Sequence, residues 1–112
     1  MPEFLTVKDL EKAARELPTE TIEIPGLGKS VKLQALSDGA VDELVRGLAD
    51  RDEDSGVVRR AWIVACSVEP RLTSEHVELL SRVSSDITLK MWEAVRRLNG
   101  LSADAGDDAQ GN

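Results

Sequence analysis

Thr21-Ile22-Glu23-Ile24-Pro25-Gly26-Leu27-Gly28-Lys29-Ser30-Val31-Lys32-Leu33 is the stretch that decides the fold. Ile22-Glu23-Ile24 and Val31-Lys32-Leu33 alternate apolar and polar residues with a period of two, the mark of half-buried strands. Between them lies a short glycine-containing loop around Pro25 to Lys29, which reads as the turn of a β-hairpin. A lone hairpin is marginal in water, so its Ile/Val/Leu face must pack on helices.

Helical periodicity appears on both sides of the hairpin. Residues 6–17 place Val7, Leu10, Ala13, Ala14 and Leu17 on one face, with Thr6 as N-cap, Asp9 three residues on, and Pro18 as the stop. After the hairpin, Ser37 caps a helix carrying Ala40, Val41, Leu44, Val45 and Leu48. A third helix over about 57–68 is apolar nearly all round and reads as the buried centre. Thr73 should cap a fourth, bearing His76, Val77, Leu79, Leu80 and Val83. Ser84-Ser85-Asp86 opens a fifth, with Ile87, Met91, Ala94, Val95 and Leu98 on one stripe and Asn99-Gly100 as its stop. Leu89 and Trp92 fall off that stripe. The expected architecture is α+β, mainly α: an N-terminal helix, one β-hairpin and a compact bundle of about four helices. One globular domain spans 1–102, followed by a disordered acidic tail over 103–112.

Composition excludes several functions. The 112 residues are 41% apolar and carry 14 basic against 21 acidic groups, a net charge of −7. That charge opposes binding to nucleic acid or to anionic lipid, both of which need clustered Lys and Arg. With Phe4, Trp62 and Trp92 as the whole aromatic set, there is no stacking platform for single strands. The longest apolar run, Ala61 to Cys66, is six residues, against about 20 for a membrane helix. A single cysteine, Cys66, closes no internal disulfide, and residues 1–6 show no secretory signal, so an intracellular acidic domain is expected.

Catalytic and ligand motifs fail on inspection. Gly28-Lys29-Ser30 resembles the end of a phosphate loop, but the required earlier glycine position is Glu23 and a strand follows instead of a helix. Asp50, Asp52 and Asp54 alternate as in an EF-hand, yet Gly56 comes one residue late and Ala61 stands where a closing Glu belongs. His76, alone of its type, reads as a half-buried packing residue, and Cys66 as a small hydrophobe in the core. No enzyme, cofactor or metal site is expected.

From Glu20 to Ser102 the order of elements resembles the tail assembly chaperone family of long-tailed bacteriophages. The resemblance rests on the hairpin with Leu36-Ser37 after it and on the helix ending in Val68-Glu69-Pro70-Arg71-Leu72-Thr73-Ser74-Glu75-His76-Val77-Glu78-Leu79-Leu80. It closes on Met91-Trp92-Glu93-Ala94-Val95-Arg96-Arg97-Leu98-Asn99-Gly100-Leu101-Ser102. The family's loop before the fourth helix is often longer and glycine-containing, where this chain has Glu69-Pro70-Arg71. The resemblance implies a non-enzymatic role in the host cytoplasm: binding the tape-measure protein, keeping it soluble, helping recruit tail-tube protein, and leaving before the virion is finished. It also implies a longer frameshifted form of the chain as partner; self-association stays open. The contact surface is expected among Val7, Leu10, Leu89 and Trp92, against the plainer expectation that all four pack inward. A different class of function, a small acidic adaptor or inhibitor binding a basic partner, requires acids gathered on one face, whereas bases are interleaved along every helix.

Overall fold

The computed structural model describes residues 2–49 and 56–101. Its elements run α1 (Val7–Arg15), β1 (Thr19–Ile24), β2 (Lys29–Gln34), α2 (Asp38–Gly47), α3 (Gly56–Cys66), β3 (Ser67–Glu69), α4 (His76–Leu80) and α5 (Ser85–Asn99). Helices hold 53% of these residues and strands 17%, so the fold is α+β and mainly α.

The hairpin forms as its alternation predicts. β1 and β2 pair antiparallel with Ile22 opposite Val31 and Glu20 opposite Leu33. Gly26 and Gly28 take left-handed φ values of 80° and 63° in the turn, a region costly for residues with a Cβ. Ile22, Ile24, Val31 and Leu33 all face inward and are buried.

Two features differ from the sequence expectation. The hairpin is extended to a three-stranded sheet of order β1-β2-β3, because α3 ends at Cys66 and the next three residues pair with β2. The apolar run Ala61 to Cys66 carries no period and does not mark where the helix gives way to a strand; the open edge of β2 decides it by pairing with Ser67 and Glu69. The fourth helix is also shorter than expected. It is a five-residue turn, and its end is not capped by the Thr73 hydroxyl. Instead, the Thr73 backbone N–H donates to Nδ1 of His76 at 2.9 Å, and His76 N–H donates to the Thr73 carbonyl at 2.8 Å.

α5 lies over β1 and β2 and packs on α3, which in turn meets α4 and α2. Trp62, Ile63, Val64 and Cys66 of α3 and Met91, Ala94 and Val95 of α5 close the core over the sheet, joined by Leu80. Leu33, Ile63 and Val95 have no exposed surface, and each contributes roughly 1.5–3 kcal/mol of transfer free energy. Glu20 shares the inner face of β1 with Ile22 and Ile24, which brings its carboxylate to the Arg97 guanidinium on α5 as an ion pair. The acidic stretch 50–55 and the expected tail 103–112 lie outside the described residues.

Candidate binding surface

α1 folds as a capped amphipathic helix and buries nothing. The Thr6 hydroxyl accepts the Asp9 N–H at 3.1 Å, and the Asp9 carboxylate accepts the Thr6 N–H at 2.9 Å, which completes a capping box. The Thr6 bonds hold the Asp9 carboxyl below the usual aspartate range. The helix stops at Arg15, earlier than the Leu17 end expected from Pro18, with Glu16 already outside helical geometry. Val7 and Leu10 on the helix are 70% and 55% exposed, and Phe4 just ahead of it is 83% exposed, so these apolar side chains meet water. Large exposed stripes of this kind mark contact surfaces on soluble domains.

At the root of α1 lies an open groove of about 460 Å³, walled by Leu17, Pro18, Ala35, Leu36, Val41, Trp62, Leu98 and Leu101, with Asp38 and Asn99 as its polar members. The end of β2, the start of α2, α3 and the end of α5 converge there. Asn99 fixes the wall: its Oδ1 accepts the Leu36 N–H at 2.8 Å, and its Nδ2 donates to the Val95 carbonyl at 2.9 Å and lies 3.4 Å from Cys66 Sγ. Ser37 caps α2 as its sequence position predicts, accepting the Ala40 N–H at 3.1 Å. Gly100, at φ 71°, ends α5 in the left-handed region and turns Leu101 into the groove wall.

The four residues singled out from sequence separate into two elements. Val7 and Leu10 sit on α1 and are exposed; Leu89 on α5 is 48% exposed, so the plainer expectation of burial fails for these three. Trp92 is half-buried against the core with the Arg96 guanidinium 5.9 Å from its ring centroid. Its indole serves packing and a cation–π contact. The groove and the Asn99 bonds were missed by sequence reading. In sequence Asn99 signals only a helix stop, and no local pattern marks a bond to a backbone amide 63 residues away.

Chemistry at this surface is that of apolar contact. His76 is half-buried with Nδ1 engaged by Thr73, and burial pushes the Cys66 thiol up, which disfavours the thiolate. Among the described residues no group of three His, Cys, Asp or Glu side chains is placed to hold a metal ion. No described helix is long and apolar enough to cross a membrane. The molecule is thus a mixed α+β domain in which α3 and α5 cover one face of a three-stranded antiparallel sheet, with the apolar side of the amphipathic α1 exposed and an apolar groove walled in part by Leu17 and Pro18. No family model matches the chain, nor does any curated protein or solved structure.

Proposed function

We propose that the chain is a tail assembly chaperone of long-tailed phage type, which shields the apolar helical stripes of a tape-measure protein during tail assembly. The observation that supports the reading is the capped α1, which holds Val7 and Leu10 in helical register and leaves them, with Phe4 just ahead of the helix, in water. A helix presented in this way matches a helical client by stripe-to-stripe contact, as in helix-and-groove recognition. The groove at its root offers a second apolar wall, and the net charge of −7 favours solubility of the complex. Tail-tube protein would join once the client is held.

Co-expression with the tape-measure protein encoded beside this gene, followed by size exclusion of the soluble fraction, tests the reading. Co-elution of a client that is insoluble by itself is the expected result. Val7→Asp and Leu10→Asp should abolish it, with Leu89→Asp reporting whether α5 takes part. A client that stays insoluble with this chain and with its longer frameshifted form would overturn the reading.

A further inference from the structure

The sheet has two edges, and they are finished differently. β3 is three residues long, Pro70 follows it, and Val68 bridges to Arg71, so the chain folds back on its own edge. β1 offers six residues with no proline, lysine or bulge, the devices that usually blunt an edge. Glu20 is an inward charge of the guarding kind, but Arg97 neutralises it. The Ala35 N–H donates to the Pro18 carbonyl at 2.9 Å, which sets the phase of the β1–β2 ladder. Bonding alternates along an antiparallel pair, so Glu20, Ile22 and Ile24 turn their backbone groups to β2. Thr19, Thr21 and Glu23 turn theirs outward, and among the described residues nothing bonds to those groups. α1 buries no residue, against this edge or elsewhere.

We infer that β1 pairs with β1 of a second copy, antiparallel about a two-fold axis at Thr21, so that the two sheets join into one. The register follows from the residues of the edge. Side chains must keep to their own face of the sheet, so outward-bonding residues pair with outward-bonding residues. Centred on Thr21, the pairing sets Thr21 opposite Thr21, Thr19 opposite Glu23 and Glu20 opposite Ile22. All the outward backbone groups then find partners, in about six hydrogen bonds. No two like charges stand opposite one another, and Thr–Thr is itself a favourable cross-strand pair. Centred on Ile22 instead, the pairing leaves Thr19 facing Pro25, beyond the end of the strand, and joins only Thr21 with Glu23. The segment Thr19–Glu23 is thus complementary to itself, which favours a second copy over an unrelated strand. Because the turn after β3 closes the far edge, the contact stops at two copies and does not propagate. This inference stands apart from the chaperone reading, since it uses neither α1 nor the groove.

Light scattering on the purified full chain over a concentration series should rise from the 12.2 kDa chain mass to twice that value. Thr21→Pro removes an edge N–H that the single chain does not use, so it should hold the mass at one chain with the circular dichroism of the parent. Thr21→Lys keeps the backbone intact and sets two ammonium groups face to face across the axis, which should weaken the dimer roughly tenfold. Thr19→Lys brings a lysine opposite Glu23 of the other copy, twice over, and should tighten the dimer roughly threefold to tenfold. With the axis at Ile22, Thr21→Lys would meet Glu23 and tighten the dimer, so that result overturns the pairing. A single-chain mass at every concentration overturns the inference outright and leaves the edge to a strand of another protein. So does a dimer that survives Thr21→Pro, or one as tight in Thr21→Lys as in the parent.

Discussion

Replacing Asn99 with alanine should cost the fold about 2 kcal/mol, although the side chain sits at the very end of a helix, where most substitutions are mild. Three groups depend on it: the Leu36 N–H, the Val95 carbonyl and the Cys66 thiol. The Val95 carbonyl keeps its place in the helical ladder, so losing Nδ2 there costs little. The Leu36 N–H has no such fallback. An amide left without an acceptor in a part-buried site costs about 1–3 kcal/mol, and water entering the open groove brings the figure to the middle of that range. With a urea slope of about 1 kcal/mol/M for a domain of this size, the midpoint should fall by about 2 M. Asn99→Asp separates the contributions. It retains the acceptor for Leu36 and loses both donors, while placing a negative charge at the C-terminal end of α5, which costs about 0.3–1 kcal/mol. Urea unfolding followed by tryptophan fluorescence and by circular dichroism should therefore rank the parent above Asn99→Asp, and that above Asn99→Ala. An alanine variant within 0.5 kcal/mol of the parent, at the resolution such extrapolations allow, would refute the reasoning. So would an aspartate variant less stable than the alanine one.

Further outcomes follow from the same structure. Leu33→Ala, at a side chain with no exposed surface, should lose about 3 kcal/mol in denaturant unfolding, within the range for leucine truncation in a core. Gly100→Ala forces a Cβ into the left-handed region at φ 71° and should lose about 1 kcal/mol, read as a drop in melting temperature. Cys66 should react with a thiol reagent only as fast as the molecule opens, because burial disfavours its thiolate; adding denaturant should release the reaction. Asp9 has a folded pKa below its unfolded value near 3.8, so its capping bonds contribute stability above that value. That contribution should vanish as pH falls through the lowered folded value, seen as faster amide exchange over residues 7–15 while the core stays protected.

The hairpin, the capping box of α1, the Ser37 cap and the Gly100 stop were all legible in sequence, because each is set by residues within a few positions of one another. β3 was not. Its three residues, Ser67, Val68 and Glu69, follow the apolar run that ends at Cys66 and are too few to show an alternation of their own, and only the open edge of β2, some 35 residues earlier in the chain, makes a strand of them. Thr73 misled for a related reason: a hydroxyl at that position usually accepts the N–H three residues on, but here the Thr73 carbonyl accepts the His76 N–H while the His76 imidazole takes the N–H of Thr73 itself. The stripes of Val7, Leu10 and Leu89 were visible from periodicity alone, which reports amphipathicity and not what covers the apolar side. For these three the described residues supply no cover. Trp92, off the main stripe of α5, still finds the core because an indole reaches further round a helix than an aliphatic side chain. The groove was beyond reach, since it is assembled from Leu17, Leu36, Val41, Trp62 and Leu98, which share no segment.

The placement of α5 over β1 has a consequence for how the protein is made. Synthesis runs from the N-terminus at about 5–20 residues per second, so β1 and β2 leave the ribosome several seconds before α5 can follow. Through that interval Ile22, Ile24, Val31 and Leu33 have alternation but no cover, and the pair of strands is too small to hold together in water. β3 follows only after α3, and α3 itself packs on α5. Folding is therefore postponed to nearly the last helix. A nascent chain stalled or cut before Ser85 leaves the apolar face of β1 and β2 without the helix that covers it.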